Sequence, residues 1–225
     1  MLISAFRQAM QSGSFMPVIA AALSAAFLVF VVIPIHEFAH AWMAVKMGDN
    51  TPKLAGGLTL NPMAHIDPVG AVLIALIGFG WGKPTPINPN NFKNRKAGVA
   101  LTSAAGPISN LLMGWLFIFL AVAFNHISAL NNTNLGLILY LFFYYAGEIS
   151  VYLAVLNLLP VPPFDGYGIL EAFLPRKAIF WIQSHQSMIS IIIIVLLFAN
   201  ILSWPLTWLS NYVLKFFFWI SALPF

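Results

Sequence analysis

The stretch FLVFVVIPIHEFAHAWMAVKMG, residues 27–48, decides the fold, because His36, Glu37 and His40 interrupt a run that is otherwise lipid-soluble. Ionisable side chains are costly inside a bilayer and persist there where they are paired or do chemistry. A His-Glu-x-x-His pattern on a helix puts the residues at i and i+4 on one face, so both imidazoles can hold one Zn²⁺. Glu37 then reaches the metal's water rather than the metal. Zinc lowers the pKa of that water towards ~7, and a neighbouring carboxylate can take its proton. The competing reading is two histidines hydrogen-bonded inside a helix bundle. It leaves Glu37 without a partner in lipid, which is the more expensive arrangement.

Working outward, the 225 residues are 60% hydrophobic and 7% charged, with 20 Phe and 7 Trp. A soluble domain carries roughly a quarter charged residues, so the composition is that of an integral membrane protein. The formal charge of +4 comes from scattered basic residues, with no basic block. It reads as membrane orientation, and nucleic acid is not expected as a partner. The absence of cysteine removes disulfides and thiolate ligands. No appended soluble domain is expected: residues 1–225 read as a single membrane-embedded unit, with a core at 16–175 and a C-terminal helix pair within 187–223.

Residues 1–14 are mildly amphipathic and suit the membrane interface. Residues 16–46 form a first span longer than the ~20 residues a bilayer requires. Residues 98–124 and 136–159 are two further spans, joined by NHISALNNTN. Residues 187–203 and 205–223 make a last pair, separated at Trp204-Pro205. The apolar part of DPVGAVLIALIGFGWG, at 69–80, is short for a span and is bracketed by Gly and Pro, which favours a re-entrant segment. The expected fold is an all-α polytopic membrane protein. It has about five transmembrane helices (five to six) and a short membrane-associated re-entrant β/loop segment.

A catalytic zinc takes three protein ligands and keeps one position open. Candidates for the third are Asp49, Asp67, Asp165, Glu148, Glu171, His65, His126 and His185. Asp49 and Glu171 read as surface residues, and Asp67 as either a helix cap or a ligand. Asp165 is favoured because it stands in NLLPVPPFDGYGIL, where a span ends in three prolines and the chain must unwind. Non-helical backbone at membrane depth is tolerated only where protein or water lines it.

HEFAH on the first span, NPMAHIDPVG after it, AAGPISN within a later helix and NLLPVPPFDG closing another follow in that order. Together, over roughly residues 20 to 175, they resemble the site-2 protease family of intramembrane zinc metalloproteases. The likeness is greatest to the compact bacterial branch without an appended PDZ or CBS domain. The resemblance implies one Zn²⁺ per chain bound by His36, His40 and Asp165, with Glu37 as catalytic acid and base. It also implies that Asn157 lies close to the site and that Gly106, Pro107 and Asn110 belong to a helix packed beside it. Tyr167 departs from the pattern, where many relatives carry a second glycine or a serine, and bears on local packing.

One metal can join the C-terminal half of the first span to Asp165 only if both lie towards the same membrane face. That requires the 69–80 segment not to cross. Lys46, Lys53, Lys83, Lys93, Arg95, Lys96, Arg176 and Lys177 then share one side, with Arg7 opposite. The positive-inside rule makes the active-site face cytoplasmic, in a multi-pass bacterial-type plasma membrane. PKLAGGLTLNP, at 52–62, reads as a strand or hairpin whose open edge pairs with an extended substrate, or else as a structural loop. Asn157 is either a bond between helices or a donor to the reaction's oxyanion. His65 is a turn residue or supports the site from behind its ligands, and His126 and His185 read as interfacial.

The expected activity is zinc-dependent hydrolysis of peptide bonds in or near transmembrane segments of membrane proteins. The alternatives are a metal-ion transporter, which would want several ligand sets along a path, and a catalytically silent zinc-binding relative. Association with a second copy or with a regulatory membrane partner is left open by the sequence.

Overall fold

The computed structural model describes residues 2–77, 80–127 and 133–224. The centre of the NHISALNNTN connection, 128–132, lies outside the described residues, as do 78–79 of the expected re-entrant segment. A short helix α1, Leu2–Ser12, precedes the first span. That span is α2, Met16–Phe27, a π-helical turn at Leu28–Val32, and α3, Ile33–Met47. The π turn ends two residues before Pro34, whose missing N–H interrupts the regular ladder.

Two more long helices follow in the chain. Helix α6, Arg95–His126, starts where the Asn94 side chain accepts Ala97 N–H at 3.2 Å, and α7, Asn134–Asn157, where Thr133 accepts Gly136 N–H at 3.0 Å. Such caps satisfy amides that a helix start leaves unpaired. The two helices cross where Gly114 meets Gly147: a methyl group on Gly114 would lie 2.7 Å from Val151 Cγ2, and one on Gly147 2.8 Å from Ile118 Cδ1. Small residues at the crossing let the backbones approach, which is how membrane helices gain packing energy. Phe117 of α6 and Leu153 of α7 join Leu28, Val29 and Val32 of the first span in one buried cluster.

Fewer helices can span than the sequence suggested. Met16–Met47, Arg95–His126 and Asn134–Asn157 are long and apolar enough. A fourth span exists if α9, Arg176–Ser184, and α10, Gln186–Phe198, bent at 68°, count as one. The expected pair at 187–203 and 205–223 is not two clear crossings. Helix α10 stops after 13 residues, just before Asn200 at φ 59°, against the ~20 that a bilayer needs. Helix α11, Ser203–Ala222, has the length, but Ser, Thr, Asn and Lys dilute its apolar run.

The expected β edge is also absent, since no strand occurs among the described residues. The 52–62 stretch instead begins inside a short helix α4, Thr51–Leu54, with Pro52 in its first turn. Gly56 adopts φ 77° and Gly57 N–H bonds back to Pro52 O at 2.8 Å, so backbone groups are satisfied locally. The 69–80 segment does turn back. Helix α5, Pro68–Ile77, is ten residues long, about 15 Å. A methyl group on Gly80 would lie 2.1 Å from Gly70 O, and one on Gly70 1.9 Å from Trp81 O. The two ends of the segment therefore lie in contact.

Candidate metal centre

His36 and His40 sit one turn apart on α3, both buried, with Nε2 atoms 3.0 Å apart. Asp165 opens helix α8, Asp165–Glu171, and its Oδ2 lies 3.3 Å from each of those nitrogens. The chain gets there because Pro160, Pro162 and Pro163 end α7, while Phe164 is buried in the cluster around Val151 and Val155. Gly166 then seats the start of α8 against the end of α7: a methyl group there would lie 2.3 Å from Leu158 O.

Three observations fit this cluster to a tetrahedral zinc ion. His40 Nδ1 faces Thr102 O at 2.7 Å; a carbonyl only accepts, so Nδ1 carries the proton and Nε2 presents its lone pair. Asp165 Oδ2 is buried without a hydrogen-bond donor, a costly state that a cation relieves. Tetrahedral bonds of ~2.05 Å space ligand atoms about 3.3 Å apart. The observed 3.0, 3.3 and 3.3 Å match that spacing. Room for the imidazoles comes from Gly106 on α6, where a methyl group would lie 2.3 Å from His40 Nε2 and 2.6 Å from His36 Cε1.

Glu37 stands outside this triangle. Its Oε2 accepts Thr85 N–H at 2.9 Å, and its backbone carbonyl accepts the Thr85 hydroxyl at 3.2 Å. Among the described residues no protein donor meets Oε1, which is left available to solvent or substrate. Pro84 and Pro86 have no amide hydrogen, so Thr85 carries the one N–H of that tripeptide.

The remaining candidates separate. Asp67 is a helix cap: its Oδ1 accepts Gly70 N–H at 2.8 Å at the start of α5. Glu171 pairs with Arg95 at 3.8 Å, and Glu148 lies on α7 near Tyr144 and Tyr145. His185 is half-buried, its Nδ1 donating to Trp181 O at 2.8 Å, and His126 ends α6. His65 is buried and donates from Nε2 to Thr59 O at 2.8 Å, while its own carbonyl accepts Lys83 N–H at 2.8 Å. It ties the 59–65 loop to the strap carrying Thr85 and is not a member of the cluster. Asn157 is the last residue of α7 and half-buried. Pro107 and Asn110 are buried on α6, Asn110 one turn past Gly106 with its Oδ1 unpartnered. His36, His40 and Asp165 form the one metal-capable group among the described residues.

Asp49 corrects the sequence reading, for it is fully buried rather than at the surface. It accepts Thr51 N–H at 3.0 Å, Thr51 Oγ1 at 2.5 Å, Asn88 N–H at 2.7 Å and Asn91 Nδ2 at 2.8 Å. Burial works to raise its pKa, and these donors more than offset it, so the carboxyl sits below its usual range. Asp49 thereby fixes the end of α3 to the strap at 84–91. Thr85 and Thr102 are residues that sequence reasoning missed, and Asp49 is one that it misplaced. The signal for Thr85 was a lone amide between two prolines, and for Asp49 the Asx-type Asp-Asn-Thr turn after Gly48.

Peptidase family M50 matches residues 24–200 of the chain. The chain belongs to peptidase family M50. Among its relatives is YwhC of Bacillus subtilis (strain 168), a protein named as a zinc metalloprotease, 37% identical over 183 residues. That alignment takes in 78% of this chain and 82% of YwhC. Rip2 of Mycolicibacterium smegmatis, also named as a zinc metalloprotease, is 30% identical over 190 residues, 81% of this chain and 68% of Rip2. Rip2 of Mycobacterium tuberculosis is 30% identical over 149 residues, covering 64% of this chain and 54% of its own length. No solved structure matches. As an M50 peptidase this chain is a metalloprotease with helices long and apolar enough to span a membrane.

Proposed function

We propose that this M50 peptidase is an intramembrane zinc metalloprotease that cleaves peptide bonds in or near transmembrane segments of membrane proteins. The observation that carries the proposal is the triangle of His36 Nε2 and His40 Nε2, on a helix of membrane-crossing length, with Asp165 Oδ2 at the start of α8, all beside Glu37. These three residues would hold the metal, and zinc bound there would supply Lewis acidity towards water and a peptide carbonyl.

The chain's own groups do the rest. Glu37 takes the proton of the attacking water on Oε1 and returns it to the leaving amine, while Thr85 N–H fixes Oε2 and so the direction of the carboxylate. The Thr102 carbonyl keeps His40 in one tautomer. The Asn157 amide donates to the developing oxyanion. The substrate helix must unwind locally before its amide is reached.

The site faces the cytoplasm of a bacterial-type cell membrane. Support comes from Lys93 N–H bonding Met47 O at 3.1 Å, which gathers Lys46, Lys53, Lys93, Arg95 and Lys96 at one end of the bundle. Single cysteines at Asn94 and Thr133 label from opposite sides on this topology, and labelling from one side would refute it.

The decisive experiment reconstitutes the chain in liposomes with a model single-span substrate. Cleavage is expected to need zinc and to fall by at least about a thousandfold in Glu37→Gln, with zinc retained. Loss of zinc in that variant would make Glu37 a ligand and overturn the assignment of roles.

A further inference from the structure

Away from the metal cluster, a cavity of about 650 Å³ opens between the start of α6 and helices α8 and α9. Its polar rim carries Arg95, Lys96 and Arg176 against one carboxylate, Glu171. Arg95 pairs with Glu171 at 3.8 Å, whereas Lys96 and Arg176 join no ion pair among the described residues. The walls behind these cations are apolar, formed by Val99, Ile179 and Phe180 among others. The result is a cleft with a cationic mouth and an oily wall.

Its position fixes what it meets. Arg95 and Lys96 form the first turn of a membrane-crossing helix, which places them at headgroup level. Helix α9 is bent by 68° from α10 at Ser184–Gln186 and is amphipathic, with Phe180 and Trp181 exposed and Trp181 stacked on His185 at 4.6 Å. A basic amphipathic helix with exposed aromatics is suited to lie in the interface rather than across the bilayer. We infer that this cleft is a binding site for an anionic phospholipid, whose phosphate meets Lys96 and Arg176 and whose acyl chain runs along Ile179 and Phe180.

A soluble anion would satisfy the cations and leave the apolar wall unused. A zwitterionic lipid would fill the wall and leave the excess positive charge uncompensated. An anionic lipid does both. Basic pockets between helices at the cytoplasmic side recognise such headgroups. The cleft is also mechanically close to the metal cluster, because Glu171 in its rim and Asp165 in the cluster are the two ends of the seven-residue α8.

The test uses the full chain in detergent and in nanodiscs, with fluorescent phosphatidylglycerol as the probe and phosphatidylcholine of the same acyl chains as the reference. The wild-type chain is expected to bind phosphatidylglycerol preferentially, and Lys96→Gln with Arg176→Gln to weaken it about thirtyfold, the equivalent of ~2 kcal/mol for two cations. The charge-keeping pair Lys96→Arg with Arg176→Lys should retain binding, as should Lys53→Gln with Lys215→Gln elsewhere on the molecule. Equal binding of the two lipids by the wild-type chain would overturn the inference, a readout that needs no variant to fold. So would an equal loss in the Lys53/Lys215 control, or displacement of the lipid by millimolar inorganic phosphate, which would mark a small-anion site.

Discussion

Thr85 donates to Glu37 twice, from its amide to the side chain at 2.9 Å and from its hydroxyl to the main chain at 3.2 Å, across 48 residues of sequence. A side chain that must receive and return a proton gains from being held in one direction. On the role proposed for Glu37, the strap at 84–91 belongs to the catalytic apparatus even though it supplies no reactive group. Thr85→Pro, which deletes the amide hydrogen, is expected to lower kcat by about tenfold or more with KM little changed, whereas Thr85→Ser stays near the wild-type rate. Steady-state kinetics on the liposome substrate separate the two. An equal loss in both variants would reduce Thr85 to a packing residue.

Asp165, favoured from sequence, and Asp67, read as either a cap or a ligand, give opposite outcomes. Asp165→Asn replaces a ligand with a neutral amide and should weaken zinc binding by well over about tenfold, since even residues behind the ligands are worth that much. Asp67→Asn keeps an oxygen acceptor for Gly70 N–H and should leave zinc in place. Metal content of the purified variants, by mass spectrometry, decides the matter.

Gly106→Ala is expected to lose zinc and activity together while the bundle still folds, at a stability cost of about 1–3 kcal/mol. The added methyl group meets both imidazoles, with His40 Nε2 at 2.3 Å. Ala105→Gly, one position earlier on the same helix, serves as the control. Retention of full zinc occupancy in Gly106→Ala would mean that α6 does not confine the histidines.

Asp49 makes stability pH-dependent with a defined sign. Its carboxyl is depressed in the folded chain, so its contribution is complete above the ordinary aspartate value and is lost as pH falls through the lower, folded value. Asp49→Asn should cost about 2 kcal/mol at neutral pH, and the gap should narrow below the ordinary aspartate value of about 3.9. Thermal melts of both proteins across that range read the effect. A constant gap would remove the charge from the explanation.

Much of the site was legible because its chemistry is written in rare residues at fixed spacing. The i, i+4 histidines and an aspartate after a proline-broken helix leave few alternatives in so apolar a chain, and the three do meet. The 52–62 stretch was misread because Pro52 and Gly56 permit either a strand or a tight helical turn. Local bonds such as Gly57 N–H to Pro52 O decided between them. The last two spans were overcounted because the break was placed at Trp204-Pro205, while the stop at Asn200 depends on one residue's backbone angle. Asp49 was placed at the surface and Thr85 escaped notice because their distant partners are 39 and 48 residues away, and no periodicity records such a pairing.

The metal cluster draws on both ends of a long stretch of chain, with His40 and Asp165 separated by 165 − 40 = 125 positions. A ribosome delivering this protein inserts the two imidazoles and Glu37 into the bilayer well before the aspartate exists. During that interval the first span carries its polar residues uncompensated, and its hold in the membrane relies on the 32 apolar-rich residues around them. The newborn chain is thus unarmed until its second half arrives. Biogenesis itself delays the appearance of proteolytic power until the bundle that confines it is in place.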